Sequence, residues 1–549
     1  MEVKLMINLE KFPYSEIRKG QKNLLKVMDD NWEKYQFYIC ELPTGFGKSA
    51  IAKTVCSSFD KAFIITSTKQ LQDQYINDFR DRSIVSIKGK GNYRCALNTR
   101  LNCESGYCLI DKDQLKQCKK ERMCSYYNTR DRAMSSNIAL TTYQYFLRSI
   151  ESSGLWKPRD VIVFDECHLL ENQIVQWASL QLSPRELIKQ YDLLSNNDNM
   201  ADICRISLPP EQPGYAANKE WLSTLCRLIF HKRNEKFQEI QTSLKLNSNN
   251  PDLLSGEELD LIVSTHKDFY ELDKFYKKLN VFIKDRDKDS WLIELYEDGL
   301  QLTPINIDRI FHTYIKRMGI KKIIFMSATI LDLPAFRKTL GLPKEQTLLM
   351  RADSEFDPEK SPIIHMPICK MNYNTINNNL DKITDAVKDI LSKHPNEKGI
   401  IHTGNSTISK YLQDNIKSDR LLVRYGDVVN DDIIKKHYKS SKPTVLVSSS
   451  LSEGVDLKGD LSRFQIIVKL PFLSLADKRI TEKVKRDEDW YMVQMFRTLI
   501  QQCGRSTRNK TDYSVTYILD SSFKWWLLKN KTKGWFQPQF IKRIQWKSK

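Results

Sequence analysis

Phe37-Tyr-Ile-Cys-Glu-Leu-Pro-Thr-Gly-Phe-Gly-Lys-Ser-Ala-Ile-Ala-Lys-Thr-Val-Cys-Ser57 joins an apolar run to a helical pattern through a glycine-bearing turn. Phe37–Leu42 reads as a buried strand and Ala50–Ser57 as a helix. Between them lie Pro43, Thr44, Gly45, Phe46, Gly47, Lys48 and Ser49. A turn of this kind, opening a helix, aims backbone N–H groups and a positive dipole end at an anion. Lys48 is placed to reach β- and γ-phosphates and the Ser49 hydroxyl to bind Mg²⁺. The general pattern has Gly six residues before the lysine, and this chain has Leu42 there.

Working outward, Ala62–Thr66 is a second apolar strand and Lys69–Phe79 a second helix. This βαβα alternation predicts a parallel sheet. Val161–Phe164 and Lys322–Met326 read as further buried strands of it. Asp165-Glu166-Cys167-His168 follows the first of these. An acid at the carboxyl end of a buried strand suits water-mediated Mg²⁺ binding by Asp165, and Glu166 is placed to polarise an attacking water. From about residue 351 the alternation resumes. Gly399–His402, Thr444–Val447, Gln465–Val468 and Ser514–Leu519 are candidate strands of a second sheet. Gln501-Gln-Cys-Gly-Arg505-Ser-Thr-Arg508 sets two arginines three apart, on one helical face, where they suit charge on a transferring phosphoryl group.

Two stretches break the rhythm. Residues 88–132 carry 11 Lys/Arg against 5 Asp/Glu and hold Cys95, Cys103, Cys108, Cys118 and Cys124. Residues 181–310 read as mostly helical. There a capping box at Ser255-Gly-Glu-Glu258 opens a helix with Ile262, Phe269, Tyr276 and Ile283 seven apart and Leu272 and Leu279 between them, one side of a helical hairpin.

The 549 residues are 41% hydrophobic and 28% charged, which excludes a disordered chain, a collagen and a coiled-coil rod. That length accommodates roughly three to five domains. No 18-residue apolar run suggests a membrane span, and Met1–Met6 lacks the apolar stretch of a secretory signal, so a cytoplasmic, nucleoid or infected-cell location is expected. The 86 Lys/Arg against 68 Asp/Glu give a net +18, pointing to a polyanion such as nucleic acid. The last 29 residues hold eight Lys/Arg, four Trp and no acid. Interleaved cations and aromatics suit base stacking. Packing of the rings on the second sheet is the preferred reading, because exposed Trp is costly.

Taken together, the motifs resemble the superfamily 2 helicases, and within them the XPD/DinG-like iron–sulfur branch. Phe12-Pro-Tyr14 with Arg18-Lys-Gly-Gln21 is similar to the family's adenine-recognising motif. Leu42–Ser49 resembles motif I, Thr66–Lys69 motif Ia, Asp165–His168 a DECH version of the DEAH box, and Ser327-Ala-Thr329 motif III. Ser448–Asp460 resembles motif V, and Gln501–Arg508 motif VI.

The resemblance implies an α/β fold of two RecA-like parallel-sheet motor domains, with an Fe–S insert and a helical arch-like insert in the first. The corresponding divisions are 1–87, 133–180 and 311–350 for the first motor domain, 88–132 for the iron–sulfur domain, 181–310 for the arch and 351–549 for the second motor domain. It implies ATP and Mg²⁺ at Lys48, Ser49, Asp165 and Glu166, with Gln501, Arg505 and Arg508 facing the γ-phosphate. Arg18 and Gln21 join the nucleotide-contacting residues, as do Glu453, Gly454 and Asp456, of which Glu453 and Asp456 link DNA to the ATP site. His168 would couple the site to neighbouring motifs.

The implied activity is an ATP-dependent DNA helicase moving 5′→3′ on single-stranded or forked DNA, beside replication or repair proteins. An RNA-directed or translocase-only motor, and a non-catalytic nucleic-acid clamp, are the alternatives. Gly89–Cys95 and Cys124–Tyr127 resemble the entry and exit of the family's [4Fe–4S] domain, which implies Cys95, Cys103, Cys108 and Cys124 as ligands and leaves Cys118 over. Thiolate spacing alone leaves zinc open.

Overall fold

The computed structural model describes residues 6–97, 102–104, 116, 118, 120–150, 156–191, 193, 215–246, 256–285, 287–296, 299–315, 318–372, 374–424, 431–449, 457, 459–506 and 512–547. Its first half contains β1 (Phe37–Glu41), β2 (Ala62–Thr66), β3 (Ile84–Ser86), β4 (Ile138–Thr142), β5 (Val161–Asp165), β6 (Leu180–Leu182), β7 (Trp291–Tyr296), β8 (Gly299–Pro304), β9 (Lys322–Ser327) and β10 (Thr347–Arg351). Seven of these form one sheet in the order β10-β1-β9-β5-β2-β4-β3. Every pairing in it is parallel.

The central strands β1, β2 and β5 are buried along their whole length. Helices cover both faces, which is why these strands read as continuous apolar runs. Ile39, Phe63, Phe164 and Phe325 face one layer, while Tyr38, Ile64, Val163 and Ile324 face the other. The Phe164 and Phe325 rings stack across adjacent strands with centroids 5.5 Å apart.

The region expected to be mostly helical contains two long helices, Tyr215–Leu246 and Gly256–Lys284. On the second, Leu272 and Leu279 are fully buried and Phe269, Tyr276 and Ile283 half-buried. The hydrophobic stripe therefore packs as a helix face does. The region also carries strands that helical periodicity misses: β6, β8 and β7 make a separate antiparallel sheet. Leu300 and Leu302 point inward from β8 with Gln301 between them. In the sequence, Glu297-Asp298 followed by Gly299 is a turn signal that would have found β7 and β8.

The second half holds β11 (Ile363–Cys369), β12 (Gly399–His402), β13 (Leu421–Arg424), β14 (Val445–Ser448), β15 (Phe464–Ile467), β16 (Val515–Asp520) and β17 (Ile544–Trp546). They form an all-parallel sheet in the order β13-β14-β12-β15-β16-β11-β17. Its edge strand β17 comes from the basic tail. Trp535, Phe536 and Phe540 of that tail are buried, as expected of rings packed on the second sheet. Trp525 and Trp546 depart from that expectation, at 58% and 43% exposed.

Candidate nucleotide site between the two sheets

The glycine-bearing turn leaves the carboxyl end of β1 and enters the helix Lys48–Ser57. Gly45 and Gly47 have φ of +76° and +88°, a region that only glycine enters without strain. A side chain at Gly47 would also come within 2.5 Å of Gln21 Nε2. Arg18 NH2 donates to the carbonyls of Gly45 (2.8 Å) and Phe46 (2.5 Å), and Gln21 Nε2 donates to Phe46 O at 2.7 Å. With its carbonyls held outward, the turn leaves amide groups free to meet an anion.

β5 delivers the acid pair. The Asp165 carboxylate accepts from the Tyr75 hydroxyl (2.8 Å) and the Glu166 amide (3.0 Å). Ser49 sits beside the same Tyr75 phenol. Burial, then the neighbouring Glu166 charge, push the Asp165 carboxyl up to about 6, against the opposing pull of Lys48 and Tyr75. Glu166 holds left-handed backbone angles (φ +52°), a strained conformation for a non-glycine residue. Its carboxylate pairs with Lys48 Nζ at 3.6 Å.

A hydrogen-bonded path leaves Glu166 for the other sheet. Ser327 Oγ lies 3.4 Å from Glu166 Oε2, and His168 Nδ1 lies 2.7 Å from Ser327 Oγ. Gln501 Nε2 donates to His168 Nε2 at 2.8 Å and to Thr329 Oγ1 at 3.0 Å. Because Nε2 accepts, the ring proton resides on Nδ1, which donates to Ser327. Arg497 adds a second bridge, donating from Nε to Thr329 O at 3.0 Å. A cavity of about 650 Å³ lies between these elements. Lys48, Ser49, Asp165 and Glu166 line one side of it, and Gln501 and Arg505 the other. The arrangement brings a cation, two carboxylates and an amide-rich turn to one polar cleft, as transfer of a phosphoryl group to water requires.

The DEAD_2 family matches residues 53–187 and the helicase C-terminal domain family matches residues 400–539. These spans contain the acid pair and the Gln501–Arg508 motif. The chain is an XPD/DinG-like superfamily 2 helicase. It is 23% identical to a probable ATP-dependent helicase of Methanocaldococcus jannaschii, over 97% of this chain and 96% of that one. It is 22% identical to the ATP-dependent DNA helicase YoaA of Escherichia coli, over 92% and 91% of the two chains. A solved XPD helicase structure superposes with a TM-score of 0.63 at 15% identity, covering 97% of this chain and all of that one. The S. tokodaii Xpd4 structure gives 0.59 at 14% identity, with the same coverage of both chains. The two parallel sheets are therefore the RecA-like domains of an ATP-dependent helicase.

Several residues expected from the helicase motifs meet at the cleft: Thr44, Gly45, Gly47, Lys48, Ser49, Asp165, Glu166, Gln501 and Arg505 all line it. Pro43 does so too. Phe46 is buried behind the turn, and Arg18 and Gln21 grip the turn's carbonyls. Glu453, Gly454, Asp456 and Arg508 lie outside the described residues, as does Cys108. Sequence reasoning missed Tyr75, Ser327 as a relay and Arg497. Tyr75 carries no motif signal, but its place on the helix after β2, facing the end of β5, follows from the βαβ order.

In the cysteine segment Cys95, Cys103, Cys118 and Cys124 are all buried. Cys103 Sγ and Cys124 Sγ are 3.8 Å apart. Burial raises the Cys118 thiol pKa, and the Cys124 and Cys95 charges raise it further. Cys118, left over on sequence grounds, is thus gathered with three of the expected ligands. Sulfur donors suit an iron–sulfur cluster or zinc. Among the described residues no group of three or more Cys, His, Asp or Glu is arranged to hold a metal ion.

Proposed function

We propose that this helicase is an ATP-driven motor that moves 5′→3′ along single-stranded DNA and opens forked duplexes. The observation that carries the reading is the path Glu166–Ser327–His168–Gln501, which ties the hydrolytic carboxylate to the second RecA-like domain. Any shift of that domain changes the partners of His168 and so the setting of Glu166. In this reading Lys48 binds the β- and γ-phosphates, Ser49 and Asp165 hold Mg²⁺, Glu166 orients and deprotonates the attacking water, and Arg505 with Arg508 stabilises charge on the transferring group. Gln501 senses the γ-phosphate. Glu453 and Asp456 connect the DNA to the nucleotide, and Gly454 lies with them at the nucleotide.

DNA as the substrate is supported by the relatives named DNA helicases and by the net charge of +18. Phosphate contacts of this kind serve any base sequence. Among the described residues no helix is long and apolar enough to cross a membrane. Cytoplasmic or nucleoid DNA is the proposed place of work. Replication or repair proteins are the proposed partners.

Glu166→Gln is the deciding variant. It should lower single-strand-stimulated ATP hydrolysis by about 100-fold or more while leaving ATP binding intact. Hydrolysis at the wild-type rate, or a failure of the wild-type protein to open DNA forks while opening RNA forks, sinks the reading.

The cysteine segment is proposed to hold a [4Fe–4S] cluster, with zinc as the rival, through Cys95, Cys103, Cys124 and a fourth thiolate from Cys108 or Cys118. Its role is structural, a rigid wedge beside the strand junction, and the arch-like insert 181–310 would close over it. Iron and sulfide analysis of anaerobically purified protein, with Cys108→Ser and Cys118→Ser beside it, assigns the metal and the fourth ligand. About four irons per chain, lost in one serine variant and retained in the other, is the expected result. Zinc at one per chain refutes the cluster.

A further inference from the structure

The basic tail is more than a packing element on the second sheet. Residues 534–543 run along the nucleotide cleft and touch both RecA-like domains. Arg351 NH1 donates to Gly534 O at 2.6 Å, and Trp535 Nε1 donates to Asp332 Oδ2 at 2.9 Å. Gln537 Nε2 reaches Glu41 Oε1 and Ala352 O, each at 3.4 Å. The helix Pro538–Lys542 then leads to Arg543, which lines the same cavity as Lys48 and Arg505.

The Arg543 guanidinium makes two contacts. Its Nε donates to Ser361 O at 2.7 Å and its NH2 to Cys503 O at 2.9 Å. Ser361 belongs to the connector just before β11, between the two sheets. Cys503 is the last residue of the helix Glu488–Cys503, and Gly504 and Arg505 follow it directly. The last carbonyls of a helix lack intrahelical donors and carry the negative end of its dipole. A cation donating there both satisfies the carbonyl and fixes where the chain leaves the helix. Arg505 lies one residue beyond that exit, so its direction into the cleft depends on it. The planar fork of arginine suits the task, because it holds two carbonyls from different elements in one geometry.

We propose that Arg543 is a positioning residue for ATP hydrolysis, which clamps the Cys503 carbonyl to the Ser361 connector and thereby aims Arg505 at the phosphates. This rests on the reading of Arg505 given above. Arg543 thus belongs to the ATPase site, 38 residues beyond the Arg505 it supports.

The test is single-strand-stimulated ATP hydrolysis by the full chain as wild type, Arg505→Ala, Arg543→Ala, Arg543→Lys and the double alanine variant. Arg543→Ala should lower kcat about 10- to 100-fold, with KM for ATP within about twofold. The double variant should be no slower than Arg505→Ala alone, since a residue acting through another contributes nothing once that other is gone. Lysine offers no fork, so Arg543→Lys should recover only part of the loss. Effects that multiply in the double variant, or a rise in KM at unchanged kcat, overturn the proposal. If Arg505→Ala itself hydrolyses normally, the reading of Arg505 fails and this proposal falls with it, an outcome distinct from multiplying effects. Should Arg543→Ala fail to fold, the same cycle is run with Arg543→Lys, where non-additivity with Arg505→Ala supports the proposal and additivity overturns it.

Discussion

Asp165 shows how a single residue's setting decides when the site works. Burial and the adjacent Glu166 charge raise its carboxyl from 3.8 to about 6. The folded state therefore holds this proton more tightly than the unfolded state does. In the nucleotide-free protein the group costs stability as pH rises from 3.8 through about 6. With Asp165 as the proposed Mg²⁺ ligand, the carboxylate needed for it accumulates over the same climb, so hydrolysis should rise through pH 6. The Tyr75 hydroxyl opposes the shift by donating to Oδ2. Tyr75→Phe removes that donor and should move the acid limb of the kcat/KM profile upward by about one unit. An acid limb that stays in place would show that Asp165 does not set it. None of this is legible in the motif, because four letters such as DECH carry no information about a tyrosine 90 positions away.

At the scale of elements, the domain interface turns on the helix Leu170–Ala178, which follows the acid pair. Its Glu171 is buried between the helices Lys478–Arg486 and Glu488–Cys503. It pairs with Arg479 at 2.8 Å and Lys483 at 3.0 Å, and accepts from Trp490 Nε1 at 3.0 Å. Burial alone would raise the Glu171 carboxyl, but Lys483, Arg479 and Trp490 hold it down at about 2. A depressed acid stabilises the fold above its unfolded pKa of about 4.5, and that stability is lost as pH falls toward 2. Glu171→Gln leaves two cations buried without their partner and should cost about 3–5 kcal/mol at neutral pH. In urea unfolding the gap between wild type and Glu171→Gln should shrink as pH drops below 4.5. A gap that is constant with pH would mean that the carboxylate charge is not what holds this interface.

Across the whole molecule, the tail joins the two RecA-like domains and packs on the helix Glu488–Cys503, which also carries Trp490 of the Glu171 latch. Trp535 is 2% exposed and reaches Asp332 of the first half. Trp535→Ala empties that seat and should lower stability by about 3–5 kcal/mol. Differential scanning calorimetry checks it, and a melting temperature within about 1 °C of wild type would show that the tail does not tie the halves together. The positive charge is organised on the same scale. The excess lies in residues 88–132 and in the tail, with the rest of the chain nearly balanced. The tail's share is now divided in purpose, with Arg543 turned inward to the cleft and Lys524 and Lys529 lying over the rings of Trp546 and Trp525.

The apolar runs at Phe37, Ala62, Val161 and Lys322, and the turn at Pro43–Ser49, were readable from the sequence because each is encoded by neighbours within a few residues. Burial on both faces demands a continuous apolar strand, and a left-handed turn demands glycine, wherever either occurs. The alternation of strands and helices then fixed a parallel sheet. What is not local was decided by the tertiary structure. β17 joins the second sheet only because the tail returns to its edge, and β6 pairs with β8 across more than 100 residues of intervening chain. The partners of His168, Glu171 and Cys503 lie on elements that no spacing rule connects to them. A hydrogen bond or a buried ion pair depends on where two backbones come to rest. That position is set by how the helices and connectors around the two sheets pack, and not by the residues that finally meet there.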